Sequence, residues 1–316
     1  MRAAGWEPSL SCFFDEGGGR ASRLARGFAR RGADLLAAGK FDVVVVHREL
    51  FPHSLNRSIP LFAMRAPIVF DFDDAVFLPS QTGWRKHVAA PESTRRLVES
   101  SALVFAGNAY LAEYARKFSS RVEILPTVVD TDVYRPAVRP PREVPVIGWV
   151  GSPSTFRYLE SLLPLLDKLA RSFRFRLRII GAGRPLKLEN VEVESPPWRK
   201  EREEELFNDL DIGVYPLTDD PWARGKCGFK AIQYLACGVA SVASPVGVVR
   251  DIVVDGVGGL WASSATQWTD ALVHLLRTPE DRARLGVAGR LRACESYSLA
   301  AATPKVLAGL SGVARG

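Results

Sequence analysis

Short apolar runs alternate with amphipathic stretches through the first half of the chain. The pattern reads as SLSCFF, a helix from about Ala21 to Ala38, FDVVVVH, a short helix near Asn56, PIVFDFD, ALVFAG and VEILP. Strands of four to seven residues separated by helical periods predict parallel βαβ units. Residues 135–145, RPAVRPPREVP, break the pattern with four prolines and no apolar period, as a linker does. It then restarts: VPVIGWVG, a helix across Leu159–Phe173, FRLRIIGAG, VEVES, a helix over Glu201–Leu210, DIGVYPL, a helix over Phe229–Ala236, and ASVAS. Two α/β domains are predicted, facing across a cleft where the carboxyl ends of their strands bind ligands.

Composition narrows the class. In 316 residues, 47% hydrophobic and 24% charged positions describe an ordinary globular chain able to bury a core. The formal charge of +7 suits a phosphorylated ligand or an anionic surface, but only nine of the 42 cations are lysines and no basic tail or zinc-finger spacing points to nucleic acid. Cys12, Cys227, Cys237 and Cys294 are scattered without a CxxC pair, which fits a reducing compartment rather than a disulfide framework or zinc site. No apolar run approaches the roughly 18 residues of a membrane span, and the first 14 residues lack a signal-peptide pattern. A cytoplasmic protein is expected. Neither GxGxxG nor GxxxxGK[ST] occurs, which disfavours dehydrogenase and P-loop chemistry.

The densest chemistry lies in 217–251. Lys226 and Lys230 flank Gly228 at the start of a helix, where two ammonium groups and unpaired N–H groups can converge on a diphosphate. Gln233 follows at i+3 from Lys230 and can hydrogen-bond a ribose; the competing reading is a solvated helix face. Gly148, Gly151, Ser152 and Ser154 form a strand-to-helix turn whose backbone could approach phosphate, with Arg157 beyond it; an ordinary tight turn is the alternative. Trp198 in ESPPWR follows a strand end and could stack on a base or serve as a lid or core residue. In the first half, His47, Arg48 and Glu49, and Asp71, Asp73 and Asp74, follow buried strands. General-base or acceptor-binding work competes there with helix capping and an internal ion pair. A metal-binding reading of DFDD is the lesser one, and no metal is assigned. Asn108 reads first as a helix N-cap, and Asp130 and Asp132 are ambiguous. RASRLARGFARR carries Arg20, Arg23, Arg30 and Arg31 beside Leu24 and Phe28, either a solvated face or a surface for anionic lipid.

The run GFKAIQYLACGVASVASPVGVVRDIV followed by DGVGGLW resembles the donor-binding signature of GT-B-fold glycosyltransferases of the large retaining family four. DIGVYPL, IGWVGSPST and PTVVDTDVY extend the likeness over most of residues 100–265. The resemblance implies an acceptor-side Rossmann-like domain over 1–136, expected to lack its usual first strand. A linker at 137–145, a nucleotide-sugar-binding Rossmann-like domain over 146–296 and a C-terminal helix at 297–316 returning to the first domain complete it. It also implies sugar transfer from a nucleotide-diphosphate donor with retention, no required cofactor or metal, and domain closure that excludes water.

The donor is expected on Gly148, Gly151, Ser152, Arg157, Trp198, Lys226, Lys230 and Gln233, and the acceptor near His47 and Asp73. The acceptor is left open among a glycan, a lipid-linked molecule and a small molecule; nucleic acid is not expected, and peripheral contact with an anionic membrane is the lesser alternative to a solvated helix face. Two features depart from the family. Its glutamate pair, eight positions apart, aligns with Gly225 and Gln233, and Trp149 stands where an arginine is common. A catalytically reduced nucleotide-binding or accessory protein is therefore the alternative to a transferase.

Overall fold

The computed structural model describes residues 5–14, 19–51, 59–79, 90–138 and 142–314. The chain divides into two compact units, one of residues 1–126 with 303–316 and one of 127–302. The proline-rich segment 135–145 thus belongs to the second unit. There the Arg142 guanidinium donates to the backbone and carboxylate of Asp209, and the Ala137 N–H donates to Asn208.

The first unit holds four strands, β1 (Val44–His47), β2 (Ile68–Phe72), β3 (Leu103–Ala106) and β4 (Val122–Ile124), paired in that order and all parallel. Helix α1 (Arg20–Ala37) precedes β1, and α2 (Ile59–Ala63), α3 (Ala90–Glu99) and α4 (Ala109–Ala115) connect the successive strands. β2 and β3 are almost wholly apolar and buried, as central parallel strands covered on both faces should be. Phe70, Phe72, Leu97 and Leu111 form the centre of this core. Asn108 caps α4 by accepting from the Leu111 N–H at 3.0 Å.

SLSCFF is not a strand. Phe13 packs instead edge-on to Phe28 and lies against Gly27, where any Cβ would overlap its ring, so the segment runs along α1. The expected helix near Asn56 lies outside the described residues.

The second unit holds β5 (Val146–Val150), β6 (Arg176–Ile180), β7 (Val193–Glu194), β8 (Ile212–Tyr215), β9 (Ala240–Ala243) and β10 (Gly259–Trp261). All pair in parallel, in the order β10-β9-β8-β5-β6-β7. This is the doubly wound 3-2-1-4-5-6 arrangement, in which the first strand of the unit, β5, lies beside the fourth, β8, and the crevice outside their carboxyl ends is the usual ligand position.

The long helix expected over 159–173 is two helices, α5 (Phe156–Glu160) and α6 (Leu163–Leu169). Pro164 at the start of α6 cannot continue the hydrogen-bond ladder from α5. α7 (Glu203–Asn208), α8 (Pro221–Arg224), α9 (Phe229–Ala236) and α10 (Val249–Ile252) follow, then α11 (Ala265–Arg277), α12 (Pro279–Ser296) and α13 (Leu299–Ser311).

β5 and β8 are matched only at Ile147–Ile212 and Gly148–Gly213. Beyond that point the fully buried Tyr234 of α9 fills the gap: its hydroxyl accepts from the Val150 N–H and lies 3.2 Å from the Gly148 carbonyl. Gly213 leaves room for the Tyr234 ring and Gly148 for Leu210.

Candidate functional site

In the first unit, candidate polar side chains gather at the carboxyl ends of β1 and β2. The β1–β2 register sets His47 beside Asp71, and His47 Nδ1 lies 2.9 Å from Asp71 Oδ2. The hydrogen bond that His47 donates to Asp71 raises the His47 pKa above its ordinary 6.5 against the opposing effect of burial. Arg48 follows in the left-handed region at φ 62°, a conformation that costs a non-glycine residue about 1 kcal/mol or more. Its N–H donates to the Asp71 carbonyl at 2.8 Å and its guanidinium to Asp74 at 2.9 Å. That turn therefore ends the strand and points a cation back across the loop that follows β2.

Asp73 sits between these groups. Its Oδ1 is buried without a hydrogen-bond partner, 4.0 Å from Arg48 Nε, and burial followed by the neighbouring Asp74 charge pushes its carboxyl up. Gly107 makes the close approach possible, since a Cβ there would stand 2.9 Å from Asp73 Cα. Among the described residues no group of three or more His, Cys, Asp and Glu side chains is placed to hold a metal ion.

The second unit divides its candidates between two groups. Arg157 on α5 donates to the Tyr158 hydroxyl at 2.8 Å and lies 3.7 Å from Asp220, which also accepts from Tyr158 at 3.3 Å and caps α8 through the Ala223 N–H. The loop that precedes α5 is knitted internally. The Ser152 N–H donates to Thr155 Oγ1 at 2.9 Å, Ser152 and Ser154 hydroxyls meet at 2.9 Å, and the Trp149 ring and Thr155 fill the space a Cβ on Gly151 would need. Gly148 and Gly151 are thus required by packing within the unit. Trp149, where an arginine is common in the resembled family, is buried against Phe156.

The other group brings together Trp198, Lys230 and Gln233, and it does so around a residue the sequence reading missed. Glu203, at the first turn of α7, is 7% exposed. Its Oε1 accepts from Lys230 Nζ at 2.7 Å and Trp198 Nε1 at 2.9 Å; its Oε2 accepts from the Tyr134 hydroxyl at 2.6 Å and Gln233 Nε2 at 2.9 Å. Burial pushes this carboxyl up, but the hydrogen bonds of Lys230 and Tyr134 and the Lys230 charge outweigh it and hold the pKa at about 2.

Lys230 also stands over the Phe207 and Phe229 rings. Gln233 is wholly buried and its Oε1 has no partner. Glu203 stood in EREEEL, which reads as a solvated charge run. The available signal was the helical period that sets Glu203 on one face with Phe207 and Leu210 at i+4 and i+7.

α9 itself begins at Gly228, in the left-handed region at φ 68°, with no side-chain cap on the helix. Lys226 lies in the turn just before it, its N–H donating to the Ala223 carbonyl at 3.2 Å. Gly225 ends α8 and contributes only backbone to the turn.

Residues 144–278 match the family described as Glycosyl transferases group 1. A D-inositol 3-phosphate glycosyltransferase of Xylanimonas cellulosilytica is 24% identical over 238 residues, 63% of this chain and 56% of that protein. The chain thus spans little more than half the length of that curated relative. Among solved structures, a glycosyltransferase from Rickettsia africae superposes with a TM-score of 0.70 at 15% identity, covering 94% of this chain and 88% of its own. Anabaena HepE in complex with UDP and glucose superposes with a TM-score of 0.68 at 15% identity, covering 93% and 83%.

The likeness to these solved structures shows that the chain has the GT-B fold. Helix α9 lies within the matched residues, and Lys230 and Gln233 of the Glu203 cluster stand on it.

Proposed function

We propose that the chain transfers a sugar from a nucleotide-diphosphate donor to an acceptor hydroxyl, with retention. The observation that carries the reading is the second unit's doubly wound sheet, with the family signature helix α9 following the strand beside its switch point and Lys230, Gln233 and Trp198 gathered at its start. HepE was solved with UDP and glucose, which supports a nucleotide sugar as donor substrate. Negative charge develops on the departing diphosphate, and the N-terminal N–H groups of α9 with Lys226 are suited to stabilise it.

Arg157 and the 148–154 turn are the further donor contacts. Lys226 and Lys230 are the cations of the signature proposed for the diphosphate, and Lys230 is paired with Glu203. On the acceptor side, the proposed roles fall to His47, oriented by Asp71 through Nδ1, and to Asp73. No cofactor or metal is invoked in this reading, and the acceptor is a glycan, lipid-linked molecule or small molecule. A cytoplasmic place with peripheral membrane contact belongs to the same reading. Among the described residues no helix is long and apolar enough to cross a membrane. α1 carries Phe28 and Leu36 exposed, although Arg31 is buried against Asp34 and the Leu50 carbonyl and so is withdrawn from any lipid face.

The absent carboxylate at Gly225 and the neutralised Lys230 favour the second reading, a nucleotide-binding or accessory protein. Calorimetry against UDP-, GDP-, ADP- and dTDP-sugars tests the binding common to both. Saturable binding of one nucleotide is expected, weakened about tenfold or more in Lys226→Ala and unchanged in His47→Ala. Equal affinity in Lys226→Ala would remove the diphosphate assignment.

A further inference from the structure

We propose that Glu203 is the positioning residue of the donor signature. Its carboxylate turns the Gln233 amide so that the carbonyl is presented to a hydroxyl of the donor nucleotide. The inference rests on the nucleotide-sugar reading above and adds to it a residue outside the signature.

A carboxylate has about four acceptor sites, and all four of Glu203's are taken, by Lys230, Trp198, Tyr134 and Gln233. With Nε2 committed to Glu203 at 2.9 Å, the Gln233 amide has one orientation, and its Oε1 is left buried with no partner. A buried acceptor without a donor costs free energy that a ligand hydroxyl would recover. A glutamate at 233 would place a second carboxylate against Glu203 Oε2, and two carboxylates at that separation cannot both ionise freely. The amide at 233 is therefore the consequence of the carboxylate at 203. The same carboxylate fixes Lys230, whose ammonium is held over two aromatic rings.

The test is a charge swap on the full chain, with UDP, GDP, ADP and dTDP as probes and the tightest binder carried into the variants. Glu203→Gln and Gln233→Glu are each expected to weaken binding about tenfold or more, because the first frees the amide and the second sets two carboxylates together. The double variant, with one carboxylate and one amide exchanged, is expected to recover most of the loss. Parent-like affinity in Glu203→Gln, or a double variant no better than the poorer single one, would overturn the proposal.

If Glu203→Gln fails to fold, Gln233→Glu decides alone, with parent-like or tighter binding as the contrary result. If the parent binds none of the four probes, the nucleotide reading fails on its own. The cycle is then read in thermal unfolding, where coupling between positions 203 and 233 is expected and additive losses would refute it.

Discussion

His47 and Asp71 are held together by strand register, and that makes their coupling measurable. The paired histidine has a pKa above 6.5, so its contribution to stability is complete below the unfolded value and is lost as pH rises through the raised folded one. Asp71→Asn should bring the His47 imidazole resonance back to titrate near or below 6.5, and the stability difference between the two proteins should be largest on the acid side and fade above the raised value. A parent His47 that already titrates at or below 6.5 would show that the 2.9 Å pair does not form in solution.

At this scale His47, Asp73, Lys230, Gln233 and Trp198 stand out as candidates in the sequence because they lie near strand ends or the start of a helix, places where polar residues are conspicuous. Glu203 and Tyr134 were not legible. One was hidden in a charge run and the other in a loop, and most of the partners that give them meaning lie 27 to 69 positions away in the chain.

Among elements, the turn into α9 is the most constrained. Gly228 adopts φ 68°, and a Cβ there would overlap the Ile252 side chain. Gly228→Ala should destabilise the second unit by about 2 kcal/mol in urea denaturation, the combined effect of left-handed strain and crowding. Gly32, inside α1 with nothing near its Cβ position, is the contrast: Gly32→Ala should stabilise by about 0.5 kcal/mol or more. Equal effects of the two substitutions would mean that the turn tolerates an alanine geometry.

Helix α9 was read from the sequence to its terminal residues, because its caps and apolar period agree. The 159–173 helix was overextended across Pro164, where apolar periodicity outweighed a helix-breaking signal. SLSCFF has strand-like composition, but the Gly27 notch on α1 receives Phe13 and fixes the segment there.

Over the whole molecule, alternation of short strands and helices was enough to predict two parallel α/β units, because parallel strands require crossovers and buried strands require apolar runs. The strand order was not legible: nothing local records that β5 neighbours β8, a contact secured by Gly148, Gly213 and the Tyr234 hydroxyl. In doubly wound sheets that order sets the usual ligand position outside the carboxyl ends of the strands, and with the group 1 match it supports the proposed donor-binding role.

The most direct measurement is release of nucleoside diphosphate from UDP-, GDP-, ADP- and dTDP-sugars by the purified chain, followed continuously with and without a panel of sugar and polyol acceptors. One nucleotide sugar should be turned over slowly by hydrolysis and faster with a suitable acceptor, and Lys226→Ala should abolish both rates. Saturable binding of a nucleotide sugar with no release under any condition would contradict transfer and leave the chain a nucleotide-binding protein.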